Sequence, residues 1–196
     1  MSSEYQSQGV GVLVDANVLF SITLLRWLYF MTGEHDIELV FYTSEDILAE
    51  ARYHRRKRMP DAGSDLGFWE SKLPLLFRQK PLEFRARPGY LYRDNGLMDT
   101  EDQHVHFAAL DNTIDILLTQ NITDFPQNGP YRVMTPDEFL YWLGYASPAT
   151  LKRAIEVQSG YYARQGVEAK LSSSLRRAQC LRFADMVESV EAGALD

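Results

Sequence analysis

Asp15, Glu50, Asp102 and Asp124 are the residues whose types and placement could do chemistry. Four carboxylates brought to one place would repel each other unless a cation neutralised them. Hard divalent ions do so through oxygen ligands, and Mg²⁺ usually takes one or two carboxylates plus water and substrate phosphate. An ion so placed can activate a water and stabilise the leaving oxygen of a phosphodiester. Taken singly, each acid has a blander explanation. The chain holds 27 acidic residues, and most such residues are solvated charges or helix caps. Asp99 and Asp102 could cap a helix, and Asp124 could form an Asx-turn ahead of Phe125-Pro126. Asp15 is the exception, because an acid that closes a wholly apolar run has few structural excuses.

The elements around these acids follow from the hydrophobic pattern. Val10-Gly11-Val12-Leu13-Val14 is a short β-branched run of the kind buried on both faces of a parallel sheet. A helix is expected from about Asn17 to Met31, ended by Gly33. Ile37 to Phe41 gives a second strand. Thr43 or Ser44 can cap a helix over Glu45 to Arg58, closed by Pro60. Residues 60 to 80 read as a loop with one or two short helices, Leu82 to Arg87 as extended chain, and Pro88 to Leu97 as a loop with exposed aromatics. Glu101 to Asn112 is expected to be helical. Ile114 to Thr119 and Tyr131 to Met134 read as strands. Thr135-Pro136-Asp137-Glu138 opens a further helix running to about Gly144. Ser147-Pro148 marks a boundary, and beyond it the pattern is helical, roughly 149 to 160 and 174 to 191, with a glycine-containing break between.

Strands alternating with helices predict an α/β fold, a three-layer α/β/α sandwich around a parallel sheet of four or five strands, with a C-terminal helical appendage. The expected organisation is a flexible stretch over 1–9, a domain over 10–146 and a helical extension over 147–196. In such sheets ligands bind beyond the carboxyl ends of the strands. Asp15 stands at one such end and Asp124 lies five residues past Thr119, just beyond another. Asp102 opens the helix feeding that strand, and Glu50 lies mid-helix, where it could lean toward Asp15.

Composition narrows the function classes. With 196 residues, 45% hydrophobic and 24% charged, the chain can bury a real core. A net charge of -7 excludes a generally basic nucleic-acid coat, but not a nuclease whose cations line one groove. A single cysteine, Cys180, excludes an internal disulfide and a cysteine-based zinc site. The most apolar stretch, Val18 to Met31, is shorter than the roughly twenty residues of a membrane span and carries Arg26. A cytoplasmic protein with no membrane association is expected.

In its order of motifs the chain resembles a PIN-domain ribonuclease, and more closely a VapC-like toxin of a type II toxin–antitoxin system. The residues that carry this are Val12-Leu13-Val14-Asp15-Ala16-Asn17-Val18-Leu19, Ser44-Glu45-Asp46-Ile47-Leu48-Ala49-Glu50, Asp99-Thr100-Glu101-Asp102-Gln103-His104-Val105 and Leu118-Thr119-Gln120-Asn121-Ile122-Thr123-Asp124-Phe125-Pro126. It covers about residues 10 to 145, and the helical tail looks like the extension of one subgroup. The resemblance implies that Asp15, Glu50, Asp102 and Asp124 hold Mg²⁺ or Mn²⁺, with Asp99 as an auxiliary ligand. It also implies that Asn17, Thr119 and Asn121 support these acids by hydrogen bonds. The implied reaction is hydrolysis of RNA by metal-activated water, leaving a 5′-phosphate and a 3′-hydroxyl, and the implied partner is a cognate, DNA-binding antitoxin. A homodimer is left open. Gln103 stands where related chains often carry arginine, and the stretch Pro88 to Met98 is unusually aromatic; both bear on substrate choice.

Other residues have competing readings. Arg52, Arg55, Arg56 and Arg58, with His54 and Lys57, form the densest basic run, either RNA-binding or a solvated face suited to a helix C-terminus. Tyr90, Tyr92, Phe68 and Trp69 could stack bases but more often such aromatics are core. His104, close to Asp102, is a candidate substrate contact. His106 reads as a polar helix position and Cys180 as a buried small hydrophobe. Two rivals come from other classes. One is a phosphatase with an aspartyl nucleophile, which would want a second acid where Asn17 stands. The other is an inert binding module, against which the full set of four acids argues. A housekeeping RNA-processing nuclease is the alternative within the same chemistry.

Overall fold

A computed structural model describes residues 9–32, 38–58, 63–77, 92–93, 96–111, 114–166 and 170–193. The apolar run at the start forms strand β1, Val10–Val14. The single helix expected next is two. Helix α1 spans Ala16–Leu19 and α2 spans Ile22–Met31, because Ser21 turns extended and its hydroxyl accepts from the Leu24 amide. Strand β2 is Leu39–Tyr42, and helix α3 is Glu45–Arg58 as expected. Ser44 rather than Thr43 caps α3, its Oγ accepting from the Ile47 amide at 3.2 Å. The segment expected to be mostly loop contains a fourteen-residue helix, α4, Gly63–Leu76, with Pro74 inside it. Gly33, Pro60, Leu82 to Arg87 and Tyr90 lie outside the described residues.

A two-residue antiparallel pair follows, β3 Tyr92–Arg93 with β4 Gly96–Leu97. Then come α5 Gln103–Ala109, β5 Ile116–Leu118, a short 3-10 helix Ile122–Asp124, and β6 Arg132–Met134. Helix α6, Pro136–Ala146, starts at the expected signal. Thr135 Oγ1 accepts from the Glu138 amide while Glu138 accepts from the Thr135 amide, with proline at the first turn. Thr135→Ala should cost about 1 kcal/mol of stability, readable as a lower denaturant midpoint with unchanged slope. An unchanged midpoint would mean that tertiary packing alone holds α6. The tail is three helices rather than two: α7 Pro148–Arg164, α8 Leu171–Arg177 and α9 Leu181–Glu191. The chain turns between α8 and α9 at Gln179, which adopts φ 63°.

The four main strands form an all-parallel sheet in the order β2-β1-β5-β6. The molecule is an α/β/α sandwich of that sheet with its C-terminal helices. The order matters for function. From β1 the chain steps one way to β2 and later the other way to β5 and β6. The sheet therefore reverses direction between β1 and β5, the place where parallel sheets open a ligand crevice at their carboxyl edge.

The C-terminal helices are integral to the core. Leu151, Ile155, Leu175, Phe183 and Val187 join the same buried cluster as β1, α2 and α6. Phe183 meets Trp27 edge-on at 4.9 Å. A side chain at Gly144 would come within 2.6 Å of the Met186 sulfur, which would have to swing aside to admit it. Leu181, at 55%, and Val157, at 42%, are exposed apolar residues of these C-terminal helices. Cys180 is buried and its thiol is pushed up to about 12 by that burial. No helix among the described residues is long and apolar enough to cross a membrane.

Candidate active site

Asp15 leaves β1 at the reversal point, and its backbone amide still pairs with the Leu118 carbonyl of β5 at 3.0 Å. Its side chain is only 6% exposed. One oxygen, Oδ1, caps α1 by accepting from the Ala16 amide at 2.6 Å. The other, Oδ2, accepts from Thr119 Oγ1 and from Asn17 Nδ2, both at 2.7 Å. Asn17 ties the assembly together. Its amide nitrogen also donates to Thr119 Oγ1 at 2.9 Å, and its oxygen accepts from the Gln120 amide at 3.1 Å. Thr119 Oγ1 further accepts from the backbone amide of Asn121. The Asn17 and Thr119 side chains thus support the carboxylate as anticipated. Asn121 takes part through its backbone, while its side chain is exposed.

Electrostatics mark Asp15 out. Its carboxyl is raised from an ordinary 3.8 to about 6, by burial first and by the nearby Glu50 charge, against the lowering effect of the Thr119 hydrogen bond. Glu50 sits on α3, half-buried, between two imidazoles: His54 Nε2 lies 3.6 Å from Oε1 and His104 Nε2 lies 3.5 Å from Oε2. The contact with Glu50, with the fields of Asp15 and Asp46 behind it, holds His104 above its ordinary value. His104 therefore belongs to the site, facing Glu50. His54, one turn from Glu50 and with its ring centre 5.5 Å from that of Phe20, joins the site although the sequence presents it within the basic run; its spacing of four from Glu50 is the signal that marks it.

The remaining acids sit at the expected places in the fold. Asp102 is half-buried at the start of α5, with no capping hydrogen bond from its side chain. Asp124 is half-buried at the end of the 3-10 helix that follows Asn121. Asp99 is exposed and its Oδ1 accepts from the Glu101 amide, a local turn contact ahead of α5. Among the described residues no three Asp, Glu, His or Cys side chains form a group that could hold a metal ion. What is assembled is a pair, Asp15 and Glu50, flanked by His104. That fits a hard cation held by one or two carboxylates and otherwise by water and phosphate, the usual arrangement for Mg²⁺.

The other candidates are placed as follows. Arg55 is interior rather than a surface cation, while Arg52 and Arg56 are exposed; the Arg58 side chain lies outside the described residues. Trp69 is core, its Nε1 donating to the Leu19 carbonyl at 2.8 Å. His106 is buried and hydrogen-bonded to the Tyr131 hydroxyl. No protein-family model, curated protein or solved structure matches this chain.

Proposed function

We propose that this protein is a metal-dependent endoribonuclease with a PIN-like domain, hydrolysing RNA phosphodiester bonds. The observation that carries the reading is Asp15: a buried carboxylate at the reversal point of a parallel sheet, oriented by Asn17 and Thr119 and opposed by Glu50. A buried carboxyl whose negative charge is disfavoured by desolvation and by a second carboxylate is poised to exchange its proton for a divalent ion. Asp15 and Glu50 would hold Mg²⁺ or Mn²⁺, with Asp102, Asp124 and Asp99 as the further ligands that the motif resemblance supports. When bound, the ion supplies water activation and stabilisation of the leaving oxygen. The protein's own contribution is orientation. Two donors fix Asp15 Oδ2, the Ala16 amide fixes Oδ1, and the imidazoles of His54 and His104 flank Glu50.

The same resemblance supports the toxin role, in which a cognate antitoxin restrains the enzyme. A cluster of acids attracts an arginine from another chain, which can bind a carboxylate through two hydrogen bonds and displace metal. The test has two parts. Purified protein should cleave unstructured RNA in Mg²⁺ or Mn²⁺, stop in EDTA, and leave a phosphatase substrate untouched; phosphatase activity without RNA cleavage would overturn the nuclease. Expression alone should arrest growth and co-expression with the neighbouring gene should relieve it; unimpaired growth in the native host would leave a housekeeping RNA-processing role.

A further inference from the structure

The basic run on α3 divides in space. At 3.6 residues per turn, Glu50 and His54 share one flank, the flank that meets His104 and Phe20. Arg52 and Arg56 share the opposite flank, with the buried Ala51 and Arg55 between the two. On the Arg52–Arg56 side, α3 and α4 enclose a cavity of about 260 Å³ lined by Arg52, Arg55, Arg56, Trp69, Glu70 and Leu73. Arg55 forms its inner wall at 4% exposure. A guanidinium keeps its charge at any accessible pH, so burying it is costly and needs a purpose or a firm hold.

The hold is visible. Arg55 donates through one guanidinium nitrogen to the Phe20 carbonyl at 3.4 Å and lies 5.8 Å from the Trp69 ring centre. Trp69 is itself pinned to the Leu19 carbonyl. Both carbonyls belong to the end of α1, the helix that Asp15 opens. The inner wall is therefore rigid and mechanically continuous with the Asp15 site, while Arg52 and Arg56 stand exposed at the rim. Among the described residues that line the cavity three carry a guanidinium and one, Glu70, a carboxylate, in a chain of net charge -7.

We propose that this cavity binds a phosphate group of the nucleic-acid strand, on the far side of α3 from Asp15 and Glu50. The proposal rests on the nuclease reading for the identity of the strand, and not for the phosphate site itself. Guanidinium forks match phosphate oxygens two at a time, and the walls of Trp69 and Leu73 keep the dielectric low around them. A helix with its side chains is roughly 10–12 Å across. A phosphate held here therefore belongs to a different nucleotide from the one being cut, and it sets where along the strand the cut falls.

The test is calorimetric titration of the full chain in EDTA with inorganic phosphate, and with single-stranded oligoribonucleotides bearing either a 5′-phosphate or a 5′-hydroxyl. The double variant Arg52→Ala/Arg56→Ala alters only exposed residues and should weaken phosphate binding at least about tenfold. Lys170→Ala, a surface cation elsewhere, and Asp15→Asn should bind phosphate as the wild type does. A preference for the 5′-phosphorylated strand that vanishes in the double variant assigns the site to a strand end. Equal affinity for both strands, equally weakened, assigns it to an internal phosphate. Wild-type protein that binds no phosphate, or a double variant that binds it undiminished, overturns the proposal. Because Asp15→Asn should lose cleavage yet keep phosphate, failure of the nuclease reading and failure of this site give different results.

Discussion

Asp15→Asn should reduce RNA cleavage by more than about a hundredfold and at the same time make the metal-free protein more stable at neutral pH. The activity loss follows from the carboxylate's place in the site. Removing groups that merely orient metal ligands typically costs 10- to 100-fold, so deleting the charge of a ligand should cost more. The stability gain follows from burial. The Asp15 carboxyl is raised from 3.8 to about 6 in the folded protein, so the folded state holds a proton that the unfolded chain has already released. Below about pH 4 both states are protonated and the group costs nothing. As pH rises from about 4 through about 6 the wild type loses stability, and above that the loss is constant. The gap is worth roughly 3 kcal/mol at most. The difference in unfolding free energy between variant and wild type, measured in EDTA, should therefore be small near pH 4 and reach its plateau near pH 7. Adding Mg²⁺ should restore stability to the wild type and not to the variant. A flat difference curve, or cleavage at the wild-type rate, would remove Asp15 from the centre of the site.

A chain ending at Ala146 should fail to fold cooperatively. The deletion takes away Leu151, Ala154, Ile155, Leu171, Leu175, Phe183, Ala184 and Val187, each 7% exposed or less, and uncovers the faces of α2 and α6 against which they pack. At about 1.5–3 kcal/mol for each large side chain, the loss is as large as the roughly 5–15 kcal/mol that holds a typical domain together. The milder Phe183→Ala leaves the helices in place but opens a void beside Trp27, and should cost about 3–5 kcal/mol. Circular dichroism and denaturant titration read both. A truncated chain with a sharp transition at the wild-type midpoint would show that the tail is an appendage after all.

That second result separates two kinds of legibility. The boundary at Ser147-Pro148 was readable, and a helix does begin there, because proline in the first turn is a local signal. Local signals also narrowed the α3 cap to Thr43 or Ser44, marked Thr135 as a cap, and placed the parallel strands β1, β5 and β6 to within two residues and α3 over Glu45 to Arg58. Each depends on the chain's immediate neighbours, so the sequence is enough. The helix over Asn17 to Met31 broke in two for a reason that was equally local but quieter: Ser21 competes for the Leu24 amide, a contest that apolar periodicity does not register.

For the site, the order of acids along the chain and their places at strand ends and helix starts were readable without coordinates, as was the pairing of Asp15 with Asn17 and Thr119 once the motifs were recognised. What only the tertiary structure decided is which of these groups meet and at what cost in charge. Strand order put β5 beside β1, which brings Thr119 within 2.7 Å of an aspartate 104 residues away. The approach of α5 to α3 set His104 against Glu50, opposite the His54 that α3 itself supplies. The end of α1 and Trp69 of α4 cover Arg55, and a cavity lies beside what the sequence presents as one basic stretch. Residue types and spacing specify the elements because hydrogen bonding and side-chain periodicity act over a few residues. Burial, and with it the Asp15 carboxyl near 6, depends on which elements become neighbours, and that is settled by the fold as a whole.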